Sequence, residues 1–301
     1  MDLRQCRVFV EVARKKSFTR AANRLHIAQP AVSMTIRKLE EDLGLVLISR
    51  KAKQICLTAE GEVFLRHAQR ILANCAAAQS EMAELQGLTR GEVRIGIPPM
   101  MSAYYFPQVI RKFIHRYPHL NLSVYGDGAA SIQKMIAHGD IDLGVITGGK
   151  IPQGLESQRF LREEIVAVVP TDHPFAKRDS ISMEDFYSQP LILFKAGYYM
   201  RELINDLALT CKIQPRIVFE TNLFSLVRSL IKEGLGVSTL LRMAVANEPT
   251  VKAIPFDPPQ HLDLLIAWQA ESYLSHANRA FVDFLLSQAT EINKAMPCPA
   301  K

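Results

Sequence analysis

Gln29, Ser33 and Arg37 recur at every fourth position, with Pro30 and Met34 beside them. On a helix of about 3.6 residues per turn, that spacing puts an amide, a hydroxyl and a guanidinium along one side. These are groups that read base edges. A Gln amide matches adenine at two points and an Arg guanidinium matches guanine or a phosphate, each good base contact being worth about 1–3 kcal/mol of discrimination. Farther on, Arg50, Lys51 and Lys53 form a basic run suited to the phosphate backbone, where contacts fix position rather than sequence. Arg37 has a second use open to it, because Glu41 lies four residues on; a surface ion pair there contributes only about 0.2–0.5 kcal/mol.

Such side chains need a helix to carry them, and the apolar spacing supplies one. Val32, Ile36, Leu39 and Leu43 form an inward stripe, Pro30 is admissible in the first helical turn, and Gly44 stops the helix. Upstream, Leu3, Cys6, Val10 and Ala13, flanked by Phe9, predict a helix over residues 3–15 that Ser17 breaks. Residues 19–25 read as a short second helix whose Ala21 and Ala22 allow another helix to approach closely, followed by a turn over residues 26–28. Two helices so joined have the geometry of a helix-turn-helix, whose second helix enters the major groove. Residues 46–49 and 54–57 flank the basic run as a hairpin, a wing able to reach phosphates or the minor groove. Charge agrees with this reading. Residues 1–60 hold 12 Lys+Arg against 6 Asp+Glu, which accounts for the whole net charge of +6 in a chain of 301 residues. A solvated basic surface without a partner would show the same excess.

The run Phe18-Thr19-Arg20-Ala21-Ala22-Asn23-Arg24-Leu25-His26-Ile27-Ala28-Gln29-Pro30-Ala31-Val32-Ser33 continues through Ile36-Arg37-Lys38-Leu39-Glu40 and Leu43-Gly44 to Leu57-Thr58-Ala59-Glu60-Gly61. It closely resembles the N-terminal signature of LysR-type transcriptional regulators. The resemblance implies double-stranded promoter DNA as a partner and adds Phe18, Thr19 and Arg20 to the contacting set of Gln29, Pro30, Ser33, Met34, Arg37, Arg50, Lys51 and Lys53. Four positions depart from the family's habit: Ala28 where Ser is common, Met34 where Arg is common, Ile48 in place of Phe and Ala52 in place of Gly.

From Thr58 onward the chain reads as one long helix. Phe64, Ala68, Ile71, Cys75, Ala78, Met82 and Leu85 alternate spacings of four and three, the seam of a paired helix, although a helix lying on its own domain can carry a similar stripe. Beyond Gly91 the pattern becomes strands over 92–97, 120–125, 141–146, 165–169, 191–193, 216–220, 237–240 and 264–268, with helices over 102–117, 131–138, 201–211, 223–233 and 276–293. Strands separated by helices predict an α/β architecture. The landmarks Gly91–Gly96, Pro107, Arg116-Tyr117-Pro118, Gly139–Asp142 and Gly234-Leu235-Gly236 look like those of the family's regulatory domain. The expected fold is therefore α/β with an all-α-dominated N-terminal winged helix-turn-helix (1–58), a linker and dimerisation helix (59–90) and an effector-binding domain (91–296). The resemblance implies that this domain has the type 2 periplasmic-binding-protein fold, with subdomains 92–161 plus 266–295 and 162–265. It also implies self-association to a dimer and on to a tetramer, and a small-molecule effector; RNA polymerase is a further expected partner.

An enzyme is the rival for this half. Gly126-Asp127-Gly128-Ala129-Ala130-Ser131 imitates a dinucleotide turn but lacks the third glycine, and no acidic residue ends the next strand. Hydrolase, zincin and NTPase motifs are missing from the sequence, so no catalytic residue, cofactor or metal is expected. A solute-binding protein fused to the DNA-binding part is a further alternative. Strand ends and helix starts would bring Pro99, Met100, Ser102, Ala129, Ser131, Thr147, Phe194, Tyr198 and Asn222 to an effector, with Ser102 and Ser131 equally at home as helix caps. Five cysteines without Cys-x-x-Cys spacing, no secretory pattern at the N-terminus and no apolar run near 18 residues lead to the expectation of a cytoplasmic protein with no membrane partner.

Overall fold

Asp2 starts the first helix. Its carboxylate accepts the Gln5 N–H at 2.7 Å while the Gln5 side chain accepts the Asp2 N–H at 2.7 Å, a reciprocal capping box that launches α1 (Leu3–Lys15). Ser17 caps α2 (Phe18–Leu25), and α3 (Gln29–Leu43) begins behind Ala28, which offers no side-chain cap. Gly44 ends α3 with φ of 66°, a left-handed conformation in which a glycine is unstrained. Phe9, Val12, Ala21, Ala22, Val32, Ile36 and Leu39 meet in one buried core, and the two alanines leave room for the helices to close on each other.

The computed structural model describes residues 1–49, 55–85, 91–149, 151–270 and 272–295. Its contacts separate two compact units, Met1–Thr89 with His138–Asp140 and Glu271–Ser275, and Arg90–Ala137 with Ile141–Ala270 and His276–Lys301. In the first, β1 (Ile48–Ser49) and β2 (Cys56–Leu57) pair antiparallel as the expected wing. The Glu40 carboxylate accepts the Leu47 and Ile48 N–H groups at 2.8 and 3.0 Å, tying β1 to α3. Thr58 then accepts the Gly61 N–H at 2.9 Å and α4 (Ala59–Leu85) follows. A Cβ on Gly61 would stand 2.1 Å from the Leu47 carbonyl oxygen, so only glycine fits where α4 passes the wing.

The second unit begins with β3 (Glu92–Ile97), α5 (Pro99–Tyr104), α6 (Phe106–Arg116), β4 (Asn121–Gly126), α7 (Ala129–Ala137) and β5 (Leu143–Thr147). It continues through β6 (Leu155–Pro170), α8 (Met183–Tyr187), β7 (Leu191–Phe194), α9 (Tyr199–Cys211), β8 (Ile217–Thr221), α10 (Phe224–Lys232), β9 (Ser238–Leu241), β10 (Val251–Gln269) and α11 (His276–Ala295). Six strands form one sheet in the order β4-β3-β5-β10-β6-β9, and β7 pairs β8 in a separate parallel pair.

Two strands are far longer than the sequence pattern suggests. β6 and β10 run 16 and 19 residues, where the expected strands covered only 165–169 and 264–268. The remainder escapes a periodicity test because it carries Glu156, Arg159, Arg162, Glu163 and Glu164 on one strand and Pro255, Pro258 and Pro259 on the other. The two strands pair with each other over Val251–Pro255 and again over Gln260–Gln269 of β10, with register shifts between Pro255 and Gln260 and between Leu264 and Leu265. At one end β10 pairs with β5, and from the Pro255–Gln260 shift onward β6 pairs with β9, so this long ribbon joins two α/β halves. The helix expected over 102–117 is also two: α5 ends at Tyr104 and α6 restarts at Phe106 with Pro107 in its first turn.

Candidate DNA-reading face and ligand cleft

α3 buries Val32, Ile36 and Leu39 and so turns its other side outward. Gln29, Pro30, Met34 and Arg37 are exposed there and Ser33 is half-buried. Met34 is 71% exposed and sets an apolar thioether among these polar groups. Arg37 donates from Nε to Glu41 Oε1 at 2.9 Å, so the alternative ion pair does form on this surface. Thr19 and Arg20 are exposed at the start of α2, whereas Phe18 packs against the core of the first unit. Arg50, Lys51 and Lys53 lie outside the described residues.

The heptad stripe of α4 divides into two parts. Phe64 meets Phe9 edge-on at 5.0 Å between ring centres, and Ala68 is fully buried in the same core. Ile71 and Cys75 are half-buried, while Ala78 and Met82 are exposed. The side chain of Leu85 lies outside the described set. The first turns of α4 thus complete the core of the first unit, because α4 lies across α1 at this end.

In the second unit, the loops at the ends of β3, β5, β7 and β8 and the starts of α5, α7, α9 and α10 surround a cleft of about 600 Å³, counting its open mouth. Pro99, Met100, Ala129, Thr147, Phe194, Tyr198 and Asn222 all line it, as the sequence reading expects. Ser102 and Ser131 do not. Ser102 donates to the Pro99 carbonyl at 2.8 Å and Ser131 to Asp127 Oδ2 at 2.7 Å, so both serve the first turns of their helices. Met200, Phe224, Leu241, Leu262 and Leu264 complete the wall and were not legible in the sequence, since nothing distinguishes them from core residues. Phe194 and Tyr198 stack at 5.9 Å and 22°. The Tyr198 ring lies over Gly128, where an added Cβ would come within 3.5 Å of it.

Residues 3–62 match the family "Bacterial regulatory helix-turn-helix protein, lysR family", and residues 86–290 match "LysR substrate binding domain". The chain belongs to the LysR family. It is a DNA-binding transcriptional regulator with an effector-binding domain, and the enzyme alternative falls with that membership. Among its relatives, a probable RuBisCO transcriptional regulator of Thalassiosira pseudonana is 33% identical, the match covering 84% of this LysR-type chain and 85% of the relative. Full-length OxyR from Pseudomonas aeruginosa has the same fold at a TM-score of 0.74 and 24% identity, over 96% of this chain and 94% of that one. The effector binding domain of QuiR in complex with shikimate matches at a TM-score of 0.61 and 24% identity, over 67% of this chain and 98% of that one. No helix of the described residues is long and apolar enough to cross a membrane.

Proposed function

We propose that this LysR-type regulator reads its promoter through the outward face of α3 and answers to a ligand held in the cleft of its second unit. Gln29, Pro30, Ser33, Met34 and Arg37 enter the major groove, Thr19 and Arg20 steady the approach, and Arg50, Lys51 and Lys53 hold the backbone. A domain boundary near residue 58 and a linker to residue 90 separate this reader from the effector domain over 91–296. Its subdomains divide near 161 and 266. Self-association runs along α4 from Ile71 to Met82 and Leu85, with a tetramer as the full assembly, RNA polymerase as the downstream partner and the cytoplasm as the place of action.

The observation that carries the reading is Met34. A thioether exposed in the middle of a face otherwise built from an amide, a hydroxyl and a guanidinium gains nothing from water. In the major groove it meets the one apolar feature of a base edge, the C5 methyl of thymine. The test uses a duplex recovered by the full-length protein from a randomised pool, with each thymine replaced in turn by deoxyuridine. At one position the loss of a methyl is expected to weaken wild-type binding about fourfold, the worth of one buried methyl group. Met34→Ala is expected to lose that discrimination while still binding the duplex. Equal responses of both proteins at every thymine would remove Met34 as a reader.

A further inference from the structure

Every side chain that lines the cleft, among the described residues, is uncharged. Two arginines that adjoin it are already committed, and Lys195, next to Phe194 in the chain, is exposed and does not belong to the lining. Arg201 pairs with Glu220 and also donates to Asn205 Oδ1 at 2.9 Å and to the Phe194 carbonyl at 3.2 Å. Arg228 pairs with Glu248 at 3.1 Å and donates to the Tyr104 hydroxyl at 2.7 Å. Of the four helix starts around it, those of α7 and α9 carry carboxylates of their own, and those of α5 and α10 carry none. Asp127 accepts the Gly128 N–H and the Ser131 hydroxyl, each at 2.7 Å, at the head of α7. Glu202, in the first turn of α9, accepts the Gly197 N–H at 2.8 Å.

An ionised ligand would therefore leave water for an apolar wall whose lining holds no countercharge, beside two carboxylates, which is costly. What the wall does offer is ring surface and shape. Phe194 and Tyr198 form a stacked pair, Phe224 adds a third ring to the lining, and the flexible thioethers of Met101 and Met200 can settle around a rigid body. Besides the hydroxyls of Tyr198 and Tyr199, two polar side chains can orient it. Thr147 at the end of β5 and Asn222 after β8 come from the two halves of the unit, and neither side chain makes a hydrogen bond within the described chain.

We infer that the effector is an uncharged, ring-bearing molecule with a hydrogen-bonding group at each end, such as a hydroxyl and a carbonyl, spanning Thr147 and Asn222. This inference rests on the cleft being the effector site. Phosphorylated metabolites and di- or tricarboxylates are disfavoured by the same wall, because its lining holds no countercharge.

Matched probes separate charge from shape. Titration calorimetry of the full-length protein compares 4-hydroxyacetophenone with 4-hydroxybenzoate, and indole-3-carbaldehyde with indole-3-carboxylate; citrate and a sugar phosphate serve as polyanions. The neutral member of each pair is expected to bind at least about tenfold more tightly than its anion, because only the anion sheds a charged hydration shell without a partner. Thr147→Val and Asn222→Leu are each expected to weaken the neutral probe about fivefold, and Tyr198→Ala to weaken it further. Tighter binding by the anions or by a polyanion, or binding by neither neutral probe, overturns the inference. If the neutral probes bind but all three substitutions leave their affinity unchanged, the cleft is not the effector site, which is a separate failure.

Discussion

Tyr105 carries a hydroxyl that is buried and finds no hydrogen-bond partner among the described residues. Its ring packs against Phe106 and Phe160, so the phenol contributes apolar surface and its oxygen is left over. Burial pushes the phenol up to about 12 from its ordinary 10.0. Because the folded state favours the neutral phenol, this group's contribution to stability is intact below pH 10.0 and is lost as the pH rises towards about 12. An unsatisfied buried hydroxyl costs about 1–3 kcal/mol, whereas removing the oxygen and keeping the ring leaves the packing in place. Tyr105→Phe is therefore expected to raise the thermal midpoint at neutral pH by a few degrees, and to remove the alkaline decline due to this residue. A lowered midpoint in calorimetry would mean that the oxygen has a partner, such as an ordered water.

At the scale of the element, α4 does two jobs with one stripe. The seven-residue repeat was plain in the sequence, and so was the open choice between pairing with a second copy and lying on its own domain. The repeat alone could not divide those roles, because Phe64 and Met82 satisfy the same spacing. Only the placement of α1 separates them: Phe9 takes up Phe64, and nothing in the described chain takes up Met82. Two substitutions should therefore behave differently. Phe64→Ala removes a half-buried ring from the edge of the first unit's core and is expected to destabilise that unit by about 1–3 kcal/mol. Met82→Asp places a charge on an exposed position, harmless to an isolated fold but costly in a helix-helix seam. Sedimentation should show a smaller assembly for Met82→Asp with unit stability retained in denaturant melts. An unchanged assembly would place the pairing surface elsewhere. The three helices and wing around the reader were legible for a related reason, since caps, stripe and stop signals there are all local: Ser17, Pro30 and Gly44 act within a turn of where they stand.

The cleft belongs to the whole second unit, and its legibility differs accordingly. Turn and helix-start residues such as Pro99, Ala129 and Asn222 could be placed by position, because strand ends in α/β folds face the ligand. Leu241, Leu262 and Leu264 could not, because each is an apolar strand residue that nothing in the sequence separates from the core, and Leu262 lies besides in the stretch of β10 that has no readable period. The ribbon of β6 and β10 is the covalent joint between the halves, and non-covalent links supplement it. Tyr104 on α5 accepts a hydrogen bond from Arg228 on α10 at 2.7 Å and meets Phe224 edge-on at 5.5 Å. Met100 Sδ accepts the Leu241 N–H at 3.4 Å. If these links restrain the halves before any ligand arrives, Tyr104→Phe should loosen them while sparing the aromatic contact. A lost hydrogen bond of this kind contributes about 1 kcal/mol, enough for about fivefold faster amide exchange in segments that open when the halves part. The increase is expected in α5 and the first turns of α10, with β3 and β5 unchanged as buried internal references. Uniform acceleration across the sheet would point to global destabilisation, and no change at α10 would show that the ribbon alone sets the spacing of the halves.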